Sequence, residues 1–180
     1  MKPLSEEAMV GILCELLALE SGYSTKEARQ IRMAAVLHDV GKKHIPKEIL
    51  EKPGKLTPCE FEIIKTHTKH GAKMLSTLRG ELGKYAREIA LCHHEHIDGN
   101  GYWGLIGDEI PKHAKMVSLC DVLCALLYKR AYKPPWPPEE ALEYIESLSG
   151  SQFCPELTNI FIPLIRNDER VSAVFKEVSD

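Results

Sequence analysis

The chain has 180 residues, 44% of them hydrophobic and 27% charged, with a formal net charge of −3. That is enough for one domain with a buried core and the composition of an ordinary soluble globule. The slightly acidic balance excludes a sequence-independent grip on nucleic acid, which needs a broad basic surface, but leaves room for a small anionic ligand held by local cations.

The apolar periodicity is helical throughout. Ser5 reads as the N-cap of a first helix carrying Leu13, Leu16 and Leu17. Ser24-Thr25-Lys26-Glu27 is a capping box, and the helix it opens is expected to run through Ala34, Ala35, Val36 and Leu37 into His38, with Gly41 as terminator. Pro46 and Pro53-Gly54 punctuate a short helix around Glu48-Ile49-Leu50. Thr57-Pro58-Cys59-Glu60 supplies a cap, a proline at the first position and a closing carboxylate for a helix bearing Phe61, Ile64 and His67. A further helix spans about Lys84 to His94, and Asp98-Gly99-Asn100-Gly101 must be a loop. A helix from about Pro111 carries Val117, Asp121 and Ala125. Pro134-Pro135-Trp136-Pro137-Pro138 then breaks the chain, and Glu139-Glu140 suit the positive end of the next helix. No run alternates with period two and no segment repeats, so the fold class is all-α.

The six cysteines (Cys14, Cys59, Cys92, Cys120, Cys124 and Cys154) form no CxxC pair and read as small buried hydrophobes in a reducing, cytoplasmic setting. The N-terminus lacks a signal-peptide core, and no run reaches the roughly 18 apolar residues of a membrane span. The expectation is a protein neither secreted nor membrane-bound.

The chemistry lies in four signals: His38-Asp39, His67, His93-His94 and Asp121. Together they offer four imidazoles and two carboxylates, the ligand set with which a helical protein holds adjacent divalent ions. Adjacent ions activate a water and neutralise a phosphate at one point, so the set points to metal-assisted hydrolysis of a phosphate ester. Each piece alone has a plainer reading. Asp121 could pair with Arg130, and His44, His70, His96 and His113 read as ordinary surface or core histidines. A carboxylate amid Leu119 and Val122 is nonetheless costly to bury unless paired or metal-bound.

The motifs His38-Asp39-Val40-Gly41-Lys42, Ile45-Pro46, His67-x-x-x-Gly71, His93-His94-Glu95-x-x-Asp98-Gly99-x-Gly101-Tyr102 and Asp121-Val122, in that order, closely resemble the HD-GYP subgroup of HD-domain phosphohydrolases. The resemblance covers about residues 30 to 160. It implies a single HD-GYP-like domain over residues 1–180, an HD-domain helical bundle with additional C-terminal helices. Members hydrolyse the bacterial second messenger cyclic di-GMP to pGpG or GMP with two or three metal ions, commonly iron or manganese. By similarity, His38, Asp39, His67, His93, His94 and Asp121 are metal ligands, with Asp39 bridging two ions and a metal-bridging hydroxide as nucleophile. Asp39 and Lys42 are the catalytic pair, and Glu95 orients His94 or His67. Lys42, Arg130 and Lys133 are expected to take phosphate, a solvated helix end being the plainer reading of the last two, while Gly99 and Gly101 let the substrate loop turn beside the metals and Tyr102 packs on a base or on the core.

Four positions depart from the family pattern. Glu6 stands where relatives carry a further histidine ligand, and a carboxylate there serves either as a ligand or as a helix-dipole complement. Lys2 stands where three-metal members have a glutamate, so two ions are expected. The GYP triad reads Gly101-Tyr102-Trp103, without the proline that stiffens the loop, and Cys124 replaces a second aspartate. The alternatives are an impaired module that binds cyclic di-GMP or a partner protein, and a hydrolase of another cyclic dinucleotide or a nucleotide. Any regulator would act in trans or lie outside these 180 residues, and a homodimer is a further option.

Overall fold

The computed structural model describes residues 4–128, 135–172 and 175, so Arg130 and Lys133 lie outside the described residues. Among these residues there are eight α-helices and no β-strand: α1 Glu6–Glu20, α2 Thr25–Ala35, α3 Lys47–Leu50, α4 Pro58–Met74, α5 Gly80–Cys92, α6 Lys112–Leu127, α7 Pro138–Ser147 and α8 Pro155–Asn167. The all-α expectation holds.

Local chemistry sets most helix starts. Ser5 Oγ accepts from Ala8 N at 3.2 Å, opening α1. Both expected capping boxes form: Ser24 with Glu27 at α2, and Thr57 with Glu60 at α4. Pro58 and Pro138 sit in the first turns of α4 and α7, where a missing N–H costs nothing.

The helices α1 and α6 form the middle of the bundle. They are apolar on nearly every side, as a helix surrounded by others must be. Leu13, Leu17, Met116, Leu119 and Leu123 are fully buried, and α1 packs against α2, α6 and α8. The more amphipathic α2 and α5 pack face to face through Ile31 and Ile89, while α7 and α8 close the far side with Ile145 and Phe161. Trp136 belongs to this packing: its backbone N–H donates to Leu126 O at 2.9 Å and its ring meets Tyr144 edge-on at 5.5 Å. Cys124 is likewise wholly buried in the core. In α8, Pro163 removes one ladder hydrogen bond but lies on the exposed side, where water can serve the freed carbonyl.

Two boundaries differ from expectation, and both position the site. Helix α2 stops at Ala35 rather than at Gly41. Residues 36–39 tighten into turns, with Leu37 N on Ala34 O and His38 N on Ala35 O, and lead into a 3-10 turn, Val40–His44. This turn crosses α4 so closely that a Cβ on Gly41 would lie 1.9 Å from His67 O. Gly41 is required by that crossing and not as a helix terminator. Helix α5 spans Gly80–Cys92 rather than Lys84 to His94, leaving His93 as its C-cap and His94 just beyond.

Candidate metal centre

Four separate segments deliver the site. His38 and Asp39 come from the turn after α2, His67 from the middle of α4, His93 and His94 from the end of α5, and Asp121 from mid-α6. All six expected ligands converge. Ligand atoms of Asp39, His67, His93 and His94 lie within 4.8 Å of one another. His38 Nε2 adds Asp39 Oδ2 at 3.3 Å and Asp121 Oδ1 at 3.5 Å.

The imidazoles are oriented from behind. Nδ1 of His38 meets Ala35 O at 2.7 Å, Nδ1 of His67 meets Ile64 O at 2.7 Å, and Nδ1 of His93 meets Ile89 O at 2.9 Å. A carbonyl only accepts, so each Nδ1 must carry the proton, and in the neutral ring Nε2 presents a lone pair to the interior. The result is acceptor facing acceptor. His67 Nε2 is 3.5 Å from His93 Nε2 and 3.1 Å from Asp39 Oδ1, while Asp39 Oδ1 is buried without a hydrogen-bond partner of good geometry. Converging lone pairs around an orphaned buried carboxylate oxygen are disfavoured unless a cation lies among them. Divalent metal fits this donor set, and backbone carbonyls behind ligating imidazoles fix their tautomer.

The electrostatics of the metal-free cluster agree. Burial would raise the Asp39 carboxyl, but the protonated His38 beside it holds it far below the usual carboxylate range. Asp121, also pressed upward by burial, is pulled by His38 down to about 2. His38 is held well above the ordinary histidine value: burial opposes its charge, but Asp121 and Asp39 more than offset that. Burial pushes His93 down and, helped by its neighbour His93, pushes His94 well below 6.5. Without metal, one proton therefore sits at His38 between two aspartates, while His93 and His94 stay neutral.

The cluster opens into a cavity of about 540 Å³, lined also by Glu6, Glu7, Lys42, Leu50, Ile64, Tyr102 and Ala125. The Lys42 ammonium pairs with Asp39 Oδ2. The Tyr102 ring lies 4.6 Å from that of His94, tilted by 33°, and meets Phe61 edge-on at 5.7 Å. Burial raises its phenol to about 12, so Oη keeps its proton at neutral pH. Leu50 and Ile64, read from the sequence only as helix positions, are apolar walls here.

Other expectations are redistributed. Gly99 takes φ +84°, and a Cβ on Gly101 would lie 2.5 Å from Glu95 Cα, so these glycines fold the loop back on the end of α5 and are not part of the cavity lining. Glu95, expected to orient His94 or His67, bonds to the loop instead of directly to an imidazole. Its carboxylate accepts from Trp103 N at 2.9 Å and Leu105 N at 3.0 Å, holding the same loop. Among the histidines read as ordinary, His113 is buried against Glu88 at 2.8 Å and His44 stacks on His70 near the surface.

Comparison with known proteins places this arrangement. A cyclic di-GMP phosphodiesterase of Thermotoga maritima is 43% identical over 172 residues, covering 95% of this chain and 46% of that protein. A 3'3'-cGAMP-specific phosphodiesterase 2 of Vibrio cholerae is 41% identical over 85% of this chain and 30% of its own length. The chain thus spans less than half the length of these curated relatives. The fold is shared with Bd1817, a HDG"Y"P protein from Bdellovibrio bacteriovorus, at a TM-score of 0.69 and 20% identity, over 90% of this chain and 52% of that one. It is also shared with the PgpH HD domain of L. monocytogenes, solved in complex with cyclic-di-AMP, at a TM-score of 0.61 and 21% identity, over 91% of each chain. The model of the HD domain matches residues 2–157, and with the His38-Asp39 pair at the centre of a clustered histidine and aspartate site, the chain belongs to the HD domain family.

Proposed function

We propose that this chain hydrolyses the phosphodiester bonds of a cyclic dinucleotide, cyclic di-GMP first among them, to pGpG or GMP. Two divalent ions, iron or manganese, would be held by His38, Asp39, His67, His93, His94 and Asp121. The observation that carries this reading is the set of imidazole lone pairs turned on Asp39 at the floor of an open cavity. Asp39 is the residue suited to bridging: Oδ1 faces His67 and His93, while Oδ2 faces His38. Mixed imidazole and carboxylate donors suit iron and manganese. When bound, such ions supply a water of lowered pKa as the nucleophile and neutralise charge on the phosphate.

The chain's own groups do the rest. Lys42 exchanges its partner Asp39 for a phosphate oxygen, and Arg130 and Lys133 add positive charge from the segment after α6. Tyr102 offers a flat ring and a retained O–H to the substrate, and Leu50 and Ile64 shed water from the reacting centre. Glu6 faces the same cavity and is the candidate for an additional carboxylate ligand. The unpaired cysteines support a reducing, cytoplasmic location. A protein regulator acting in trans, or a second copy of the chain, remains part of this reading.

Two rival readings have specific support. The similar relatives are named for different cyclic dinucleotides, which favours testing 3'3'-cGAMP beside cyclic di-GMP. The Lys42–Asp39 pair and the buried Cys124, where the family has an aspartate, favour an impaired binding module. Product analysis separates them. Protein purified without oxygen and loaded with iron or manganese is incubated with each dinucleotide, beside an Asp39→Ala control. Linear products only from unmodified, metal-bound protein support the phosphodiesterase. Intact substrate despite two bound ions transfers the reading to the binding module.

A further inference from the structure

Trp103 stands in the third position of the GYP-like triad, and it is tied down at three points, one on its backbone and two on its indole. Its backbone N–H donates to Glu95 Oε1 at 2.9 Å. Its ring N–H donates to Thr68 Oγ1 at 3.0 Å, across 35 positions of sequence. The Lys69 ammonium lies 3.4 Å over its ring, at cation–π distance. Thr68 is fully buried and gives its own hydroxyl proton to Lys65 O at 2.9 Å, so its oxygen is left as the acceptor the indole needs.

The partners' positions matter more than their number. Thr68 directly follows His67, and Glu95 directly follows His94. The path from His94 through Glu95, Trp103 and Thr68 to His67 is therefore a closed brace between α4 and the end of α5. It joins two ligating histidines whose rings are 5.2 Å apart. The same loop carries Tyr102, whose N–H donates to His94 O at 3.3 Å.

We infer that Trp103 is a positioning residue: through the Thr68 hydroxyl and Glu95 it fixes His67 and His94 relative to each other, and so sets the affinity of the metal centre. The inference rests on the metal-site reading above but not on any particular substrate.

The test is titration of metal-stripped protein with Mn²⁺, comparing unmodified chain with Trp103→Phe, Thr68→Val, Thr68→Ser and the Trp103→Phe/Thr68→Val double variant. Trp103→Phe keeps a ring but removes the donor, and Thr68→Val keeps the shape but removes the acceptor. Each is expected to weaken Mn²⁺ binding roughly three- to tenfold. Thr68→Ser should restore it, and the double variant should be no worse than either single one, since both remove the same bond. Lower stability alone leaves the affinity of the folded protein unchanged, so a general packing role would not move this readout. Affinity within twofold of the unmodified protein for Trp103→Phe and Thr68→Val, or additive losses in the double variant, would overturn the inference. Should Trp103→Phe not fold, Thr68→Val against Thr68→Ser decides it. Absence of cyclic dinucleotide turnover, by contrast, would count against the proposed reaction and leave the brace intact.

Discussion

Asp39 differs from its neighbours in two respects. Among the described residues it is the carboxylate whose two oxygens face different imidazoles, and its buried Oδ1 has no well-formed hydrogen bond of its own. Asp39→Ala is expected to remove the bound metal pair and lower turnover at least ~100-fold, read as metal stoichiometry and initial rate on one sample. Retention of both ions would refute the bridging role. His38 gives a second prediction, with a sign. Its folded pKa lies above 6.5 because Asp121 and Asp39 outweigh its burial, so the metal-free protein holds that proton at neutral pH. A ligating imidazole must be neutral, and metal uptake therefore releases it. Apparent Mn²⁺ affinity should rise with pH, by up to about tenfold per unit, until His38 is deprotonated in the free protein, and then level off. Calorimetry in buffers of different ionisation enthalpy would count the proton. Uptake without proton release near pH 7 contradicts the assignment.

At the scale of elements, the site depends on how closely the turn after α2 crosses α4. A Cβ on Gly41 would meet His67 O at 1.9 Å and Gly71 N at 2.4 Å, both backbone atoms of a hydrogen-bonded helix that cannot yield. Gly41→Ala should destabilise the fold by about 3 kcal/mol and push Asp39 away from His67. A Cβ on Gly71 would instead sit 3.3 Å from the Ala90 methyl, a contact a small shift relieves. The helix-propensity gain of alanine over glycine, up to ~1 kcal/mol at this position in the last turn of α4, offsets that, so Gly71→Ala is expected to be near neutral. Denaturant unfolding of the two variants checks the contrast, and equal losses would refute it. The same crossing marks where the sequence was legible. Capping boxes at Ser24 and Thr57 depend on residues three apart, and the HD and HH pairs keep a fixed order, so both could be read directly. The end of α2 depends on α4, which begins more than twenty residues later, and local pattern cannot carry that. Glu95 adjoins His94 in sequence. Its partners are the N–H groups of Trp103 and Leu105, made reachable only by the folding back of the loop at Gly99 and Gly101. The bond from Trp103 to Thr68 lies beyond local pattern for the same reason.

Over the whole molecule, the centre joins what the core alone holds only indirectly. Its proposed ligands come from the turn after α2 and from α4, the end of α5 and α6, so an ion bound there would tie four segments at one point. One apolar core runs through α1, α2, α5, α6, α7 and α8, and its α7 and α8 part, with Phe161 and Ile145 fully buried, is remote in sequence from every proposed ligand. Metal and core should therefore stabilise the fold additively. A ligand present at a hundred times its dissociation constant contributes about 2.7 kcal/mol if it binds only the folded state. For a domain of this size that corresponds to a Tm increase of roughly 5–10 °C. Thermal unfolding with Mn²⁺ and with chelator should show this increment, and Asp39→Ala should abolish it without changing the Tm of chelated protein nearly as much. Phe161→Ala should lower both curves by about 3–5 kcal/mol of stability while leaving the difference between them unchanged. An increment that shrank with Phe161→Ala would mean that the core and the centre are energetically coupled, and that the ligands are held in place by the whole bundle rather than by the backbone carbonyls and the loop directly behind them.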